Sequence, residues 1–347
     1  MIFCGDVALA NEDSFTFTGF DCLESKPWCL NLEGAILTQG GAPPTWGTYN
    51  SEDWLDSFSH FRLVSVCIAN NHIHDIPEGI AVTQQYLARH NLQSFGAGID
   101  AIAAANSVTT ASCGENYTLL GFGWPMIGCK PVTKSSPGVN RLEGRQVLSQ
   151  ARAALEKAEG GKVVVVIHGN YEFEKYPQPA HRKLARKLID EGVYAVICHH
   201  PHIVSPVERY KGRTIAYSLG NWAFSYGRFF GGRLKFPKSS FHQIAVELND
   251  NGDKVHHAQF EPPNTVRYLR TESVGAEDFS LKPEFEGFDD TAYLAWFKKN
   301  RIKRRGLPIY RNADQFLGNQ LRDCWVWVRQ RLIEVAVMLR LKTVDRS

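Results

Sequence analysis

Short apolar runs bounded by polar turns recur through about the first 220 residues, and amphipathic stretches lie between them. Ile2–Cys4, Trp28–Leu30, Leu63–Ile68, Lys162–Ile167, Ala195–Cys198 and Thr214–Leu219 read as short buried strands. Glu78–Asn91, Arg141–Glu159 and Gln178–Glu191 carry apolar residues at helical spacing. In the last of these, Leu184, Leu188 and Ile189 form the stripe, and Arg182, Lys183, Arg186 and Lys187 form an opposite face expected to be solvated. Strands alternating with helices predict an α/β fold. Further on, Phe241–Leu248 and Val255–Phe260 flank Asn249-Asp-Asn-Gly-Asp253, the pattern of a hairpin.

A main domain is expected over residues 1–268, ending near Tyr268, with a helical extension over 269–347. Composition shifts there: acidic and aromatic through Asp290, then basic from Lys298 to Arg305. A final helix is predicted over about Ala313–Leu341. Its stripe of Leu317, Leu321, Trp325, Val328, Leu332, Val335 and Leu339 suits packing on the main domain. Trp325, Trp327 and the arginines leave open a second reading, a helix lying on a membrane surface.

Bulk composition bounds the rest. The 347 residues are 44% hydrophobic and 22% charged, as in a soluble globular protein. A net charge of +3 is too weak to imply nucleic acid. None of the eight cysteines forms a CxxC pair, so they read as reduced core thiols, not a zinc ribbon or disulfide framework. The first residues are too short an apolar run for a signal peptide, and no stretch approaches the ~20 apolar residues of a membrane span. The expected location is cytoplasmic, with peripheral membrane contact through the last helix as the alternative.

Polar residues cluster where the strands end. Asp6, Asn31 and Glu33, Asn70 to Asp75, His168 to Glu172, His199 to His202, and Asn221 each stand at or just past the carboxyl end of an apolar run. In α/β sheets ligands bind at that edge, so six such clusters point to one shared site. Three of the 12 histidines fall within four positions, in the order His199-His200-Pro201-His202. Pro201 favours extended chain before it, and in extended chain His200 and His202 face one spot, whereas His199 points away. Carboxylate, imidazole and amide donors without thiolate suit Mn, Zn, Fe or Mg. Two such metals clamp a phosphoryl group and generate a hydroxide nucleophile.

The order of motifs resembles the bacterial capsule-synthesis CapA family (poly-γ-glutamate type) of the calcineurin-like metallophosphoesterase superfamily. The matching text is Gly5-Asp6, Asn31-Leu-Glu-Gly34, Ala69-Asn-Asn-His72 with Asp75, Phe95-Gly-Ala-Gly98, His168 with Glu172, Asp190-Glu-Gly192, His199-His-Pro-His202 and Tyr217-Ser-Leu-Gly-Asn221 with Phe224. It covers about residues 2–265. The resemblance implies a four-layer α/β sandwich, two mixed sheets packed face to face and flanked by helices, with two divalent metals at the sheet edges.

By the same resemblance Asp6, Glu33 and His202 look like ligands of a first metal, with Glu33 as the bridge. His168 and His200 look like ligands of a second, and Asn71 resembles the amide ligand. His72 looks like the catalytic acid that protonates the leaving group. Asn31, Asn70, Asp75, Glu172, His199 and Asn221 are expected to support the ligands or touch substrate, Asp75 by orienting a histidine. His74 is expected to lie outside the centre.

The chain departs from the superfamily in three ways. Ala8 stands where a metal-binding histidine is usual, His168-Gly-Asn170 replaces His-Trp-Gly, and the N-terminal membrane anchor of many relatives is not expected here. The expected function is hydrolysis of a phosphoester or related bond linked to capsule or extracellular polymer synthesis. The alternatives are a non-catalytic polymer-binding or accessory subunit, and metal-dependent amide hydrolysis of a γ-glutamyl polymer. The implied partner is an anionic polymer or phosphoester.

Overall fold

The computed structural model describes residues 1–112, 114–302, 306–314 and 317–338, with side chains 330 and 333–338 excepted. Among these residues the main body is two mixed sheets packed face to face, with helices flanking them. The first sheet has nine strands. One half of it is a parallel set, Ile2–Ala8, Pro27–Leu32, Arg62–Cys67 and Gln93–Phe95, ending at the last of these as an edge. The antiparallel strands His242–Glu247, Lys254–Glu261 and Thr265–Ser273 extend it. The second sheet has six strands, in the order Val207–Tyr210, Arg213–Ala216, Ala195–His199, Lys162–His168, Glu115–Gly123, Val108–Ser112.

The helices are α1 (Gly79–Arg89), α2 (Ala101–Ala105), α3 (Gly144–Lys157), α4 (Pro179–Asp190), α5 (Asp290–Asn300) and α6 (Leu317–Met338). Local chemistry sets their starts. The Glu143 carboxylate accepts from Gln146 N ahead of α3, and Asp289 accepts from Ala292 N ahead of α5. Pro179 opens α4 at a position where its missing N–H costs nothing.

Lys162–His168 shows how the layers form. Every residue of the strand is buried, as expected for a parallel strand covered on both faces. Val164 and Val166 join the core between the sheets, whereas Val163, Val165 and Ile167 join a second core with Val147, Leu184, Leu188, Tyr293 and Phe297 of α3, α4 and α5.

Four expectations are corrected. The basic face of α4 is not uniformly solvated: Arg182 is buried, and both Arg182 and Arg186 donate to Glu208. The second core needs a close helix–sheet contact there, and the carboxylate neutralises the cations. Cys22 and Cys324 are exposed, not core. The strand Thr265–Ser273 carries the first sheet past Tyr268, because it pairs along its length with Lys254–Glu261. Finally, four residues of the α6 stripe, Leu317, Leu321, Trp325 and Leu332, are exposed instead of packed on the body, Val328 is partly buried, and the Val335 side chain lies outside the description. Leu339 lies outside the described residues.

Candidate metal centre

Strand register builds the site in two rows. In the first sheet Asp6 lies opposite Asn31 on one side and Asn221 on the other. In the second sheet His168 lies opposite His199. Gly5 permits the Asn221 side of this row, since a Cβ there would stand 2.2 Å from the Gly220 carbonyl oxygen. The two rows meet across the sheets: His199 Nδ1 is 3.1 Å from Asp6 Oδ1, and Asn31 Nδ2 is 3.4 Å from His168 Nδ1.

Loops supply the rest. Glu33 follows the strand Pro27–Leu32 and is fully buried. Its Oε1 is 3.7 Å from His202 Nε2, 3.8 Å from His72 Nε2 and 4.0 Å from His168 Nε2. Among the described residues neither Glu33 oxygen has a hydrogen-bond partner. An unpaired buried carboxylate is costly, and here it sits amid imidazole nitrogens too far for hydrogen bonds. Bonds of roughly 2.0–2.2 Å would put two ligands of one cation roughly 3–4 Å apart. The donor set therefore fits divalent metal binding.

Two groups of donor atoms lie within 4.8 Å of one another, Asp6 with Glu33 and His202, and Glu33 with His168 and His200. Glu33 belongs to both. Asn71 Oδ1 adds a contact to His168 Nε2 at 2.8 Å. All five ligand-type side chains of these groups are buried.

Burial, reinforced by Asp6 and then Glu172 and Asp75, pushes the Glu33 carboxyl well above the usual range. Burial and then the neighbouring imidazoles hold His168 well below its ordinary value. Burial also lowers His202, against the opposing pull of Asp6. Both effects favour neutral groups in the absence of a cation, and a cation reverses that preference.

The remaining expected residues fall around this centre. His72 Nδ1 pairs with Asp75 Oδ2 at 2.6 Å, and Asp75 Oδ2 also accepts from Thr48 N. This fixes the ring with Nε2 toward Glu33. Asn221 Oδ1 is 2.9 Å from His202 Nδ1. Asn70 braces backbone: its Oδ1 accepts from Gly34 N and His72 N, and its Nδ2 donates to the Leu32 carbonyl. Glu172 is close enough for its charge to act on Glu33 and His202. His199 touches Asp6 and stands in neither donor group. Ala8 is buried in an aromatic cluster with Phe224 and Phe229, so no donor stands at that position.

The route by which the histidines converge differs from the extended chain expected. His200 has φ +96° and His202 has φ +57°. Backbone contacts impose the coil: His200 N donates to Asp6 Oδ2, and Phe173 N donates to the Pro201 carbonyl. The two rings nonetheless enter the two adjoining donor groups that share Glu33.

Sequence reading missed the aromatic cover. Phe230 packs edge-on to His72 at 5.7 Å, and Phe236 packs on His202 at 4.9 Å. Phe230 also meets the exposed Trp46. The available signal was the run Arg228-Phe-Phe-Gly-Gly-Arg-Leu-Lys-Phe236, with Gly231 and Gly232 among bulky rings and cations.

A buried carboxylate–imidazole centre, fed by the carboxyl ends of strands from two facing sheets, defines an α/β protein with a metal-type site. The family model described as "Bacterial capsule synthesis protein PGA_cap" matches residues 24–226. The chain belongs to this family.

The PGA biosynthesis protein CapA of Bacillus subtilis is 32% identical over 46% of this chain and 42% of that protein. A probable polyglutamine synthesis accessory protein of Mycobacterium tuberculosis is 30% identical over 71% of this chain and 62% of that protein. The chain thus spans about two fifths of the Bacillus relative and three fifths of the mycobacterial one. A solved 5'-nucleotidase precursor from Thermus thermophilus aligns with a TM-score of 0.40 and 14% identity, over 86% of this chain and 58% of that one.

Proposed function

We propose that the chain is a divalent-metal-dependent hydrolase of a phosphoester, acting in capsule or extracellular polymer synthesis. The observation that carries this reading is Glu33, a buried carboxylate with no hydrogen-bond partner among the described residues, shared by two donor groups. Asp6, Glu33 and His202 would hold one ion, and Glu33, His168, His200 and Asn71 a second. Such ions, drawn from Mn, Zn, Fe or Mg, would polarise a phosphoryl oxygen and lower the pKa of an attacking water.

The chain's own residues do the remaining work. Asp75 fixes the His72 ring, whose Nε2 faces the centre and delivers a proton to the departing oxygen. Asn221, Asn31 and His199 hold His202 and Asp6 in place. Phe230 and Phe236 exclude water from the centre.

One observation favours a second reading, an accessory subunit that binds polymer without catalysis. Ala8 leaves the first group with three donor side chains, which weakens that ion's hold. Purified protein with Mn²⁺, Zn²⁺ or Mg²⁺ should hydrolyse an aryl phosphodiester or monoester, and His200→Ala should abolish that activity. Inertness with every metal, with turnover of neither ester nor γ-glutamyl amide, supports the accessory reading. Turnover of the amide alone moves the assignment to amide hydrolysis.

A further inference from the structure

Helix α6 is held by its polar side, with its apolar side outward. Asn319 is buried and donates to the carbonyls of Asn312 and Asp314. Asp323 accepts from the Tyr310 hydroxyl, and Arg322 donates to Asn319 Oδ1. These contacts lie on one side of the helix. Leu317, Leu321 and Trp325 follow at four-residue steps on the other side, with Leu332 one heptad beyond Trp325. Their exposures are 72%, 66%, 51% and 62%, and Trp327 is 61% exposed. A helix facing water carries the reverse pattern, and a contiguous exposed apolar patch marks an interaction surface.

Charge identifies what covers it. Residues 298–347 contain 13 Lys and Arg against 4 Asp and Glu, a net +9. The preceding 297 residues contain 26 against 32, a net −6, and the two parts give the chain's +3. Arg331 lies over the Trp327 ring, and Trp325 Nε1 donates to the Gly306 carbonyl, which ties the helix to the segment before it. Among the described residues no helix is long and apolar enough to cross a membrane.

We infer that α6, lying in the basic C-terminal part of the chain, forms an interfacial docking surface for an anionic lipid bilayer. A soluble polyanion would satisfy the cations but leave the leucines and tryptophans in water. A second copy would bury the apolar stripe but bring one +9 segment against another. An anionic bilayer meets both, taking the apolar face at the acyl boundary and the cations at the headgroups.

The test is flotation of the full chain with vesicles of phosphatidylcholine, alone or mixed with phosphatidylglycerol. Binding to the mixed vesicles should exceed binding to phosphatidylcholine at least tenfold, with a blue shift of tryptophan emission, and should weaken as salt rises. Leu317→Asp with Leu321→Asp changes exposed positions only, so the melting temperature stays as in wild type while vesicle binding falls at least tenfold. Failure to bind mixed vesicles would overturn the inference. So would binding unaffected by the double variant, binding to soluble polyglutamate as tight as to vesicles, or a stable dimer without lipid that the double variant dissolves.

Discussion

Replacing Glu33 by Gln should make the metal-free protein more stable while removing its response to metal. Asp6 and Glu33 have donor oxygens within 4.8 Å of each other. Two ionised carboxylates at that separation repel by roughly 3–4 kcal/mol at an effective dielectric constant of about 20. Nearby imidazoles offer little compensation, because burial holds His168 and His202 toward the neutral form. The wild-type protein relieves part of the repulsion by binding a proton at Glu33, whose carboxyl is pushed well up. The Glu33→Gln change removes the charge at nearly constant volume, but the new amide must find acceptors, at about 1–2 kcal/mol. The net expectation is a gain of about 1–2 kcal/mol, or a few degrees in melting temperature. Saturating metal at about a hundredfold excess over its Kd should raise wild-type stability by about 2.7 kcal/mol, and most of that should vanish in the variant. Scanning calorimetry in EDTA and in Mn²⁺ reads both effects. A variant that melts lower than wild type in EDTA, yet keeps the full metal-induced rise, would refute the reasoning.

His72→Gln should cost about 10²–10⁴ in kcat on an ester with an alkoxide leaving group. It should cost much less on a p-nitrophenyl ester, whose leaving group needs no proton; equal losses would argue for a structural role. Glu208→Ala strips the shared partner from Arg182, Arg186 and Tyr217. Breaking a buried pair this way should cost about 3–5 kcal/mol in urea unfolding, and a loss below about 1 kcal/mol would contradict the buried-network account. The Glu247 carboxyl meets burial, which raises it, but hydrogen bonds from His256 and Lys26 hold it at about 2, below the ordinary 4.5. The proton is therefore bound more weakly in the folded protein, so this stability is present above about pH 4.5 and lost as pH falls toward 2. Glu247→Gln should flatten that acid limb by about 1–2 kcal/mol, discounted because Lys26 is partly solvated; an unchanged limb would exclude the pairing.

Most of the fold was legible because its signals are local. The strands from Ile2 and Lys162 and the helices α1, α3 and α4 follow apolar spacing, and their ends shifted by only a few residues. Asp6, Asn31, His168 and His199 were legible as strand-end residues, since parallel register in each sheet turns sequence position into spatial rows. What stayed hidden depends on distant partners. Arg182 reads as solvated until Glu208 arrives from another element. The coil at His200 and His202 is imposed by Asp6 and Phe173 backbone contacts that no local propensity encodes. The outward stripe of α6 could not be oriented from its period, which marks an apolar face without saying what that face meets.

The most direct test is a crystal soaked in Mn²⁺ and measured at the manganese absorption edge. The account predicts anomalous peaks beside Glu33, the stronger toward His168 and His200, and the weaker or partly filled one toward Asp6 and His202 next to Ala8. Ordered Glu33 with no anomalous peak on either side, at saturating Mn²⁺ and likewise with Zn²⁺, would contradict it.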